Sequence, residues 1–273
     1  HSGSLKEGKA LNINAGCNGC VTKNILFKGV SAHAGGAPEK GVNALYAATC
    51  CLNAVNAIRE TFVDDEHIRF HPIITEAGLA VNAIPEAAKV ESYVRGASYD
   101  SIYRYNKKVN LALAGAAASI GCRLELNDRP GYFPLNNDPN MSDVVAAAME
   151  AVAGPDSVER TDVWGTGCTD MGDVSAIMPA VHPHASGAVG TGHGCDYYIQ
   201  DKELACVRPA QCLAVAADML LSGGGELAKK VIAEAKPCFK SKEEYLAAID
   251  RLEMSQEAVI YNEDGTVTLD YSR

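Results

Sequence analysis

The sequence predicts a mixed fold, α/β and α+β: a ferredoxin-like βαββαβ unit with a four-stranded antiparallel sheet and two helices, then a segment of different α/β layering. Three observations carry this. Residues 24–126 run through strand, helix, strand, strand, helix and strand patterns, which is the split βαβ plan. Beyond residue 134, helices alternate with short strands and glycine-rich loops, and this implies another layer architecture. The length of 273 residues, 47% hydrophobic and 21% charged, suits one large or two modest globular domains.

Residues 1–20 have weak periodicity and read as an irregular lead-in. Asn24–Val30 alternates Ile25 and Phe27 with polar residues, so a strand is expected there, ending at Gly29–His33. The turn Gly35-Gly36-Ala37-Pro38 leads to a helix over Gly41–Phe62. Its apolar face is Leu45, Ala48, Leu52, Val55 and Ile58. His67–Thr75 alternates again, with Ile68, Phe70 and Ile74 on one side and His67, Arg69 and His71 on the other. Lys89–Arg95 places Val90 and Val94 opposite Lys89, Glu91, Tyr93 and Arg95. Ser98–Ile120 is a second amphipathic helix, and Leu124 and Leu126 mark the last strand. Such a sheet buries one face, and its outer strand can extend across a two-fold axis to a second copy.

The later segment gives a helix over Met141–Val152, a strand over Val158–Trp164 and a glycine-rich loop over Gly165–Asp173. A short strand region follows at Ala180–Val189, then the loop Gly190–Tyr198 and a long helix over Asp201–Leu221. Glu226–Leu252 is a more polar helical stretch, and Asn262–Gly265 is a hairpin signal.

A net charge of −10 with no long basic run argues against nucleic acid or an anionic membrane surface as partner. No apolar segment is expected to approach the ~20 residues that span a bilayer, and nothing at the start marks secretion. Ten cysteines in a long chain of this kind fit a reducing cytoplasm with free thiols, with Cys122, Cys206 and Cys212 in apolar surroundings. Cys17 and Cys20 form a CxxC pair, which can bind metal or run redox chemistry. Here it lacks a second CxxC and a following helix.

His33 stands at the lip between a strand and a helix, where it can meet a ligand or another chain. His193, in Gly190-Thr191-Gly192-His193-Gly194, sits on backbone that can approach a ligand, and equally suits a turn. Alone it cannot hold a catalytic zinc, which takes three protein ligands. Asp170 and Asp173 read as ligands, helix caps or supporting partners. His182 and His184 share a strand face and could chelate or form a buried pair; Glu243-Glu244 falls in a polar helix. Asn82 and Arg95 flank one strand. The amide can donate to a developing oxyanion, and the guanidinium can clamp a carboxylate or make a surface ion pair.

Three ordered stretches, FKGVSAHAGGAPEKGVNALYAA, IITEAGLAVNAIPEAAKVESYVRG and GCTDMGDVSAIMPAVHPHASGAVGTGHG, resemble the di-zinc amidohydrolase/aminoacylase metallopeptidases. The nearest branch is the aminobenzoyl-glutamate and hippurate hydrolase type. The resemblance runs from about Val21 to Leu221. It implies a lid (dimerisation) domain at 21–133 and the C-terminal part of an α/β zinc-hydrolase catalytic domain at 134–222. It leaves 1–20 as the end of an absent first catalytic segment or vector-derived residues, and 223–273 as a helical extension with a hairpin-like tail.

By the same resemblance, His33 polarises the scissile carbonyl in trans, in a partner subunit, and Asn82 binds the oxyanion. Arg95 holds the substrate carboxylate, Asp170 and Asp173 line the pocket, and His193 is the last metal ligand. His1 corresponds to a ligand histidine ahead of the lid. The implied enzyme is a cytoplasmic homodimer with two zinc ions per subunit, cleaving the amide of a small N-acyl amino acid. The family's Cys-x-His or His-x-Asp ligand pair and its Glu-Glu are not found ahead of this lid. His1 and His193 make too few ligands, and no glutamate stands ready to activate water. The expectation is a chain that is inactive or very weak alone, with uncovered apolar surface in 134–222. The alternative is a non-catalytic dimerisation or carboxylate-binding module.

Overall fold

The structure, a computed structural model, describes residues 1–272. It divides into two compact units: His1–Cys17 with Pro134–Tyr245, and Asn18–Phe133 with residues 246–272.

The lead-in is not irregular throughout. It contributes β1 (Leu11–Ile13) and β2 (Gly16–Cys17) to small sheets of the first unit. The second unit then begins with β3 (Gly19–Lys28), whose buried positions include Val21, Lys23, Ile25 and Phe27 at a spacing of two. A 3₁₀ turn, Pro38–Lys40, precedes α1 (Ala44–Ile58). The helix starts at Asn43 rather than Gly41, because the Asn43 side chain caps it by accepting the Tyr46 N–H.

The expected strand over His67–Thr75 is split into β4 (Arg69–Phe70) and β5 (Ile73–Ala77). Pro72 lies at the break, and a residue without an N–H cannot continue a hydrogen-bonded ladder. Both pieces pair with β6 (Ala87–Gly96). α2 (Tyr99–Ser119) opens with a capping box in which Ser98 and Ser101 satisfy each other's backbone donors. β7 (Arg123–Pro130) completes the βαββαβ order. Ala48, Cys51 and Val55 of α1 and Ile102, Val109 and Leu113 of α2 join the sheet's inward residues in one apolar cluster.

The chain then returns to the first unit. β8 (Leu135–Asn136) pairs with β2, and α3 (Pro139–Ala153) is capped by Asp138 with Pro139 in its first turn. β9 (Val158–Arg160) runs parallel to β1 and β10 (Trp164–Gly165) parallel to β2. After α4 (Met171–Ile177) come β11 (His184–Ala185), which pairs with β1, and β12 (Ala188–Val189) with β13 (Tyr198–Ile199). A π-helical turn, Glu203–Val207, leads into α5 (Arg208–Leu221), which packs on α3 through Cys212 and Ala216; α6 (Glu226–Glu234) follows. Residues 203–224 form a helical run of 22 residues that kinks after Leu221, and an 18-residue window within it has a mean hydropathy of 1.5. By length and composition alone this is enough to cross a bilayer, which corrects the expectation that no apolar segment approaches that length. Its outward residues include Leu213 and Leu221, both well exposed.

Residues 223–273 do not behave as one extension. α6 stays with the first unit, whereas most of α7 (Lys242–Leu252) and all that follows join the second. β14 (Met254–Glu257) pairs antiparallel with β7, giving the strand order β14-β7-β3-β6-β4 with β5 also on β6. β15 (Val259–Tyr261) and β16 (Val267–Leu269) form the expected hairpin, and Leu252, Met254 and Val259 enter the core beneath the sheet. The β7 edge is thus covered by the chain's own end, while β5 lies on the other edge with Ile73 and Ile74 exposed.

Candidate functional site

In the second unit, two loops meet at the end of β6 that begins with Ala87. His33 and Ala83 form an isolated antiparallel bridge, and the Ala34 N–H donates to the Asn82 carbonyl at 2.9 Å. The His33 and Asn82 side chains therefore rise from paired backbone, both exposed. His33 Nδ1 accepts two backbone N–H groups, from Gly35 at 3.1 Å and Gly36 at 3.0 Å. A nitrogen that accepts cannot carry the ring proton, so the neutral imidazole holds it on Nε2 as a donor.

Arg95 lies at the opposite end of β6, eight residues from Ala87, or roughly 26 Å at the rise of a strand. It is on the sheet face away from the helices, half-buried, with its guanidinium over the Tyr93 ring. Its direct partner on β4 is Arg69. The structure thus brings His33 and Asn82 together within one protomer and keeps Arg95 apart from both. The sequence placed Arg69 on the outer face but could not supply the register that sets it beside Arg95.

In the first unit, the Ala185 N–H donates to the His1 carbonyl at 2.8 Å, which sets His1 against β11. His1 Nδ1 and His182 Nε2 are 3.2 Å apart, and His184 lies beside both rings. His182 Nδ1 is within hydrogen-bond reach of Thr169 Oγ1, and its backbone N–H donates to Asn137. These three imidazoles line a cavity of about 230 Å³ with Cys17, Cys168 and Thr169. Burial is the main cause that pushes His182 and His184 below the ordinary imidazole range.

Asp170 precedes α4 without capping it; its carboxylate accepts from the Thr169 hydroxyl. Asp173 accepts the Tyr245 hydroxyl at 2.9 Å, and burial together with that bond pushes the Tyr245 phenol up to about 12. His193 is exposed at φ 62° in the turn closed by Asp196, which accepts the Thr191 N–H. At Gly190, with φ 88°, a Cβ would run into the Asp196 carbonyl. The turn therefore needs that glycine to close, whereas Gly192 faces open space. The Glu244 carboxylate accepts the Lys240 N–H ahead of α7, so Glu244 serves a helix start.

Cys17 and Cys20 fall in different units, and all ten cysteines are free thiols. Cys122 and Cys212 are buried as expected, but Cys206 is exposed, on the outward side of the π-helical turn.

A peptidase dimerisation domain of the M20 type matches residues 16–127. The human Xaa-Arg dipeptidase is 29% identical over 202 residues, covering 71% of this chain and 45% of that protein. The aminobenzoyl-glutamate utilization protein of Klebsiella pneumoniae superposes with a TM-score of 0.60 at 22% identity, over 82% of this chain and 55% of that one. A dinuclear metal binding peptidase of the M20 family from Bacillus subtilis superposes with a TM-score of 0.57 at 18% identity, over 81% of this chain and 56% of that one. The chain thus spans about half the length of each of these proteins.

A dinuclear centre would need about three protein ligands per metal. Among the described residues, no group of three or more His, Cys, Asp or Glu is placed to hold a metal ion. The donors present do not fit a dinuclear centre by themselves. Residues 16–127 carry the M20 peptidase dimerisation domain, and the chain is similar beyond it to M20 peptidases and amidohydrolases.

Proposed function

We propose that this chain forms the dimerisation lid and adjoining catalytic-layer segment of a zinc-dependent amidohydrolase that cleaves the amide of a small N-acyl amino acid or an aminobenzoyl-glutamate-like substrate. The observation that carries this reading is the backbone pairing of the His33 and Asn82 loops, which aims two donors outward from one end of the lid. His33 Nε2–H and the Asn82 amide would meet the carbonyl oxygen as it gains charge, and Arg95 would hold the free carboxylate.

The spacing along β6 supports action in trans. A small substrate cannot reach from the Asn82 loop to Arg95 across roughly 26 Å of one strand. If His33, Asn82 and Arg95 serve one substrate, two protomers supply them, and a homodimer through the lid meets that need. We assign His193 and His1 to metal in the intact enzyme, with two zinc ions per subunit, and Asp170 and Asp173 to the pocket wall. Asp173's bond to Tyr245 favours a supporting role for it.

The 273-residue chain alone is expected to hydrolyse little or nothing, in keeping with its donor set. A cytoplasmic setting, without nucleic acid or membrane as partner, is supported by the net charge of −10 and the ten free thiols. The test is an assay of aminobenzoyl-glutamate and N-acyl amino acids with zinc added, run beside light scattering. A dimer with negligible turnover is expected. Robust turnover by the isolated chain would overturn its inactivity, and a monomer would remove the action in trans.

A further inference from the structure

Arg69 on β4 and Arg95 on β6 are direct cross-strand partners. Residues so paired project from the same sheet face with Cβ atoms ~4.5–5.5 Å apart, and like charges in that position are destabilising. Neither arginine has an acidic partner among the described residues. Arg69 donates only to the carbonyl beside it, that of Ile68 at 2.9 Å, and Arg95 rests over Tyr93. Six other Arg or Lys side chains of this unit show the opposite behaviour: Arg104, Arg123, Arg129, Lys23, Lys28 and Lys89 sit beside carboxylates. In a chain with a net charge of −10, two adjacent guanidinium groups without a carboxylate are an unmet demand for an anion.

We propose that Arg69 and Arg95 together form a dicarboxylate site, which makes the preferred amino-acid half of the substrate an acidic one of the glutamate type. This rests on the reading that Arg95 holds the substrate carboxylate and adds a specificity-determining partner to it. Each guanidinium presents a planar fork that takes one carboxylate through two parallel hydrogen bonds. Two forks rooted side by side match two carboxylates joined by a short carbon spacer. A neutral amino acid would leave one of the two cations unpaired, and that difference is the source of selectivity.

The site is tested on the chain itself by NMR titration with glutarate and with acetate at one fixed ionic strength. Glutarate is expected to bind at least roughly tenfold more tightly than acetate. Arg69→Ala should bring glutarate down to the acetate level and leave acetate unchanged. Arg69→Lys should restore only part of the difference, because an ammonium lacks the fork. Thermal melts of each variant separate loss of the site from loss of the fold. Equal binding of the two ligands, or an Arg69→Ala effect shared by both, overturns the dicarboxylate proposal. If Arg95→Ala abolishes both while Arg69→Ala changes nothing, this proposal fails and the assignment of Arg95 survives. If Arg95→Ala leaves acetate binding intact, the assignment of Arg95 fails as well.

Discussion

Lys23 and Asp128 form an ion pair 2.6 Å long with both side chains completely buried. Asn106 accepts from the same ammonium at 3.0 Å and donates to the other Asp128 oxygen at 2.7 Å, so β3, β7 and α2 are joined through one polar network. Burial pushes the Lys23 ammonium down from its ordinary range, and Asp128 opposes that shift. Asp128→Ala would leave the cation buried without its counter-charge, and it is expected to destabilise the second unit by about 3–5 kcal/mol. Lys23→Met combined with Asp128→Leu should recover only part of that loss, because the buried Asn106 amide then keeps neither partner. Urea unfolding of the two variants beside the unaltered chain measures it.

The tautomer of His33 can be read directly. Its Nδ1 accepts from Gly35 and Gly36, so long-range nitrogen–proton NMR should find the neutral ring protonated at Nε2. His33→Ala should leave thermal stability nearly unchanged, because the side chain is exposed. A neutral ring protonated at Nδ1 would remove the outward donor.

Self-association is expected at the β5 edge, since β14 occupies the other one. Ile73→Lys places a charge on this exposed edge without disturbing the core. Sedimentation should show the variant shifted toward monomer while its melting temperature is held. An unchanged dimer would place the interface elsewhere.

Acid should weaken the first unit through His182 and His184. Both are held below the ordinary imidazole range, chiefly by burial. Unfolded histidines take up protons near pH ~6.5, and these folded ones do so only at lower pH. Their contribution is therefore full above ~6.5 and is lost as pH falls through the lowered values. The urea midpoint should drop between pH 7 and pH 5, and His182→Ala with His184→Ala should flatten that slope.

Gly190→Ala tests the turn that carries His193. With a positive φ and no room beside the Asp196 carbonyl, alanine is expected to cost more than ~1 kcal/mol locally. Gly192→Ala, facing open space, should be nearly silent. Hydrogen exchange of the Thr191 and Gly194 amides distinguishes the two.

Much of the second unit could be read from its residues. Two-residue alternation on β3, β6 and β7 and three- to four-residue spacing on α1 and α2 are local properties of a chain that must bury one face. Pro72 was also in view, and its missing N–H explains why one expected strand is two. What the chain could not state locally was pairing. That β14 would return from residue 254 to cover β7, that His1 would lie against His182, and that Arg69 would face Arg95 depend on register between distant segments. Register is set by the whole sheet rather than by any one strand. The same limit hid the role of Lys23. In sequence it is a polar residue in a strand, and only the closure of α2 over β7 gives its charge a buried partner. The residue types capable of chemistry were therefore determined by the sequence. Which of them stand together, and which are held some 26 Å apart on one strand, was decided by the tertiary structure, because distance in space follows packing and not position along the chain.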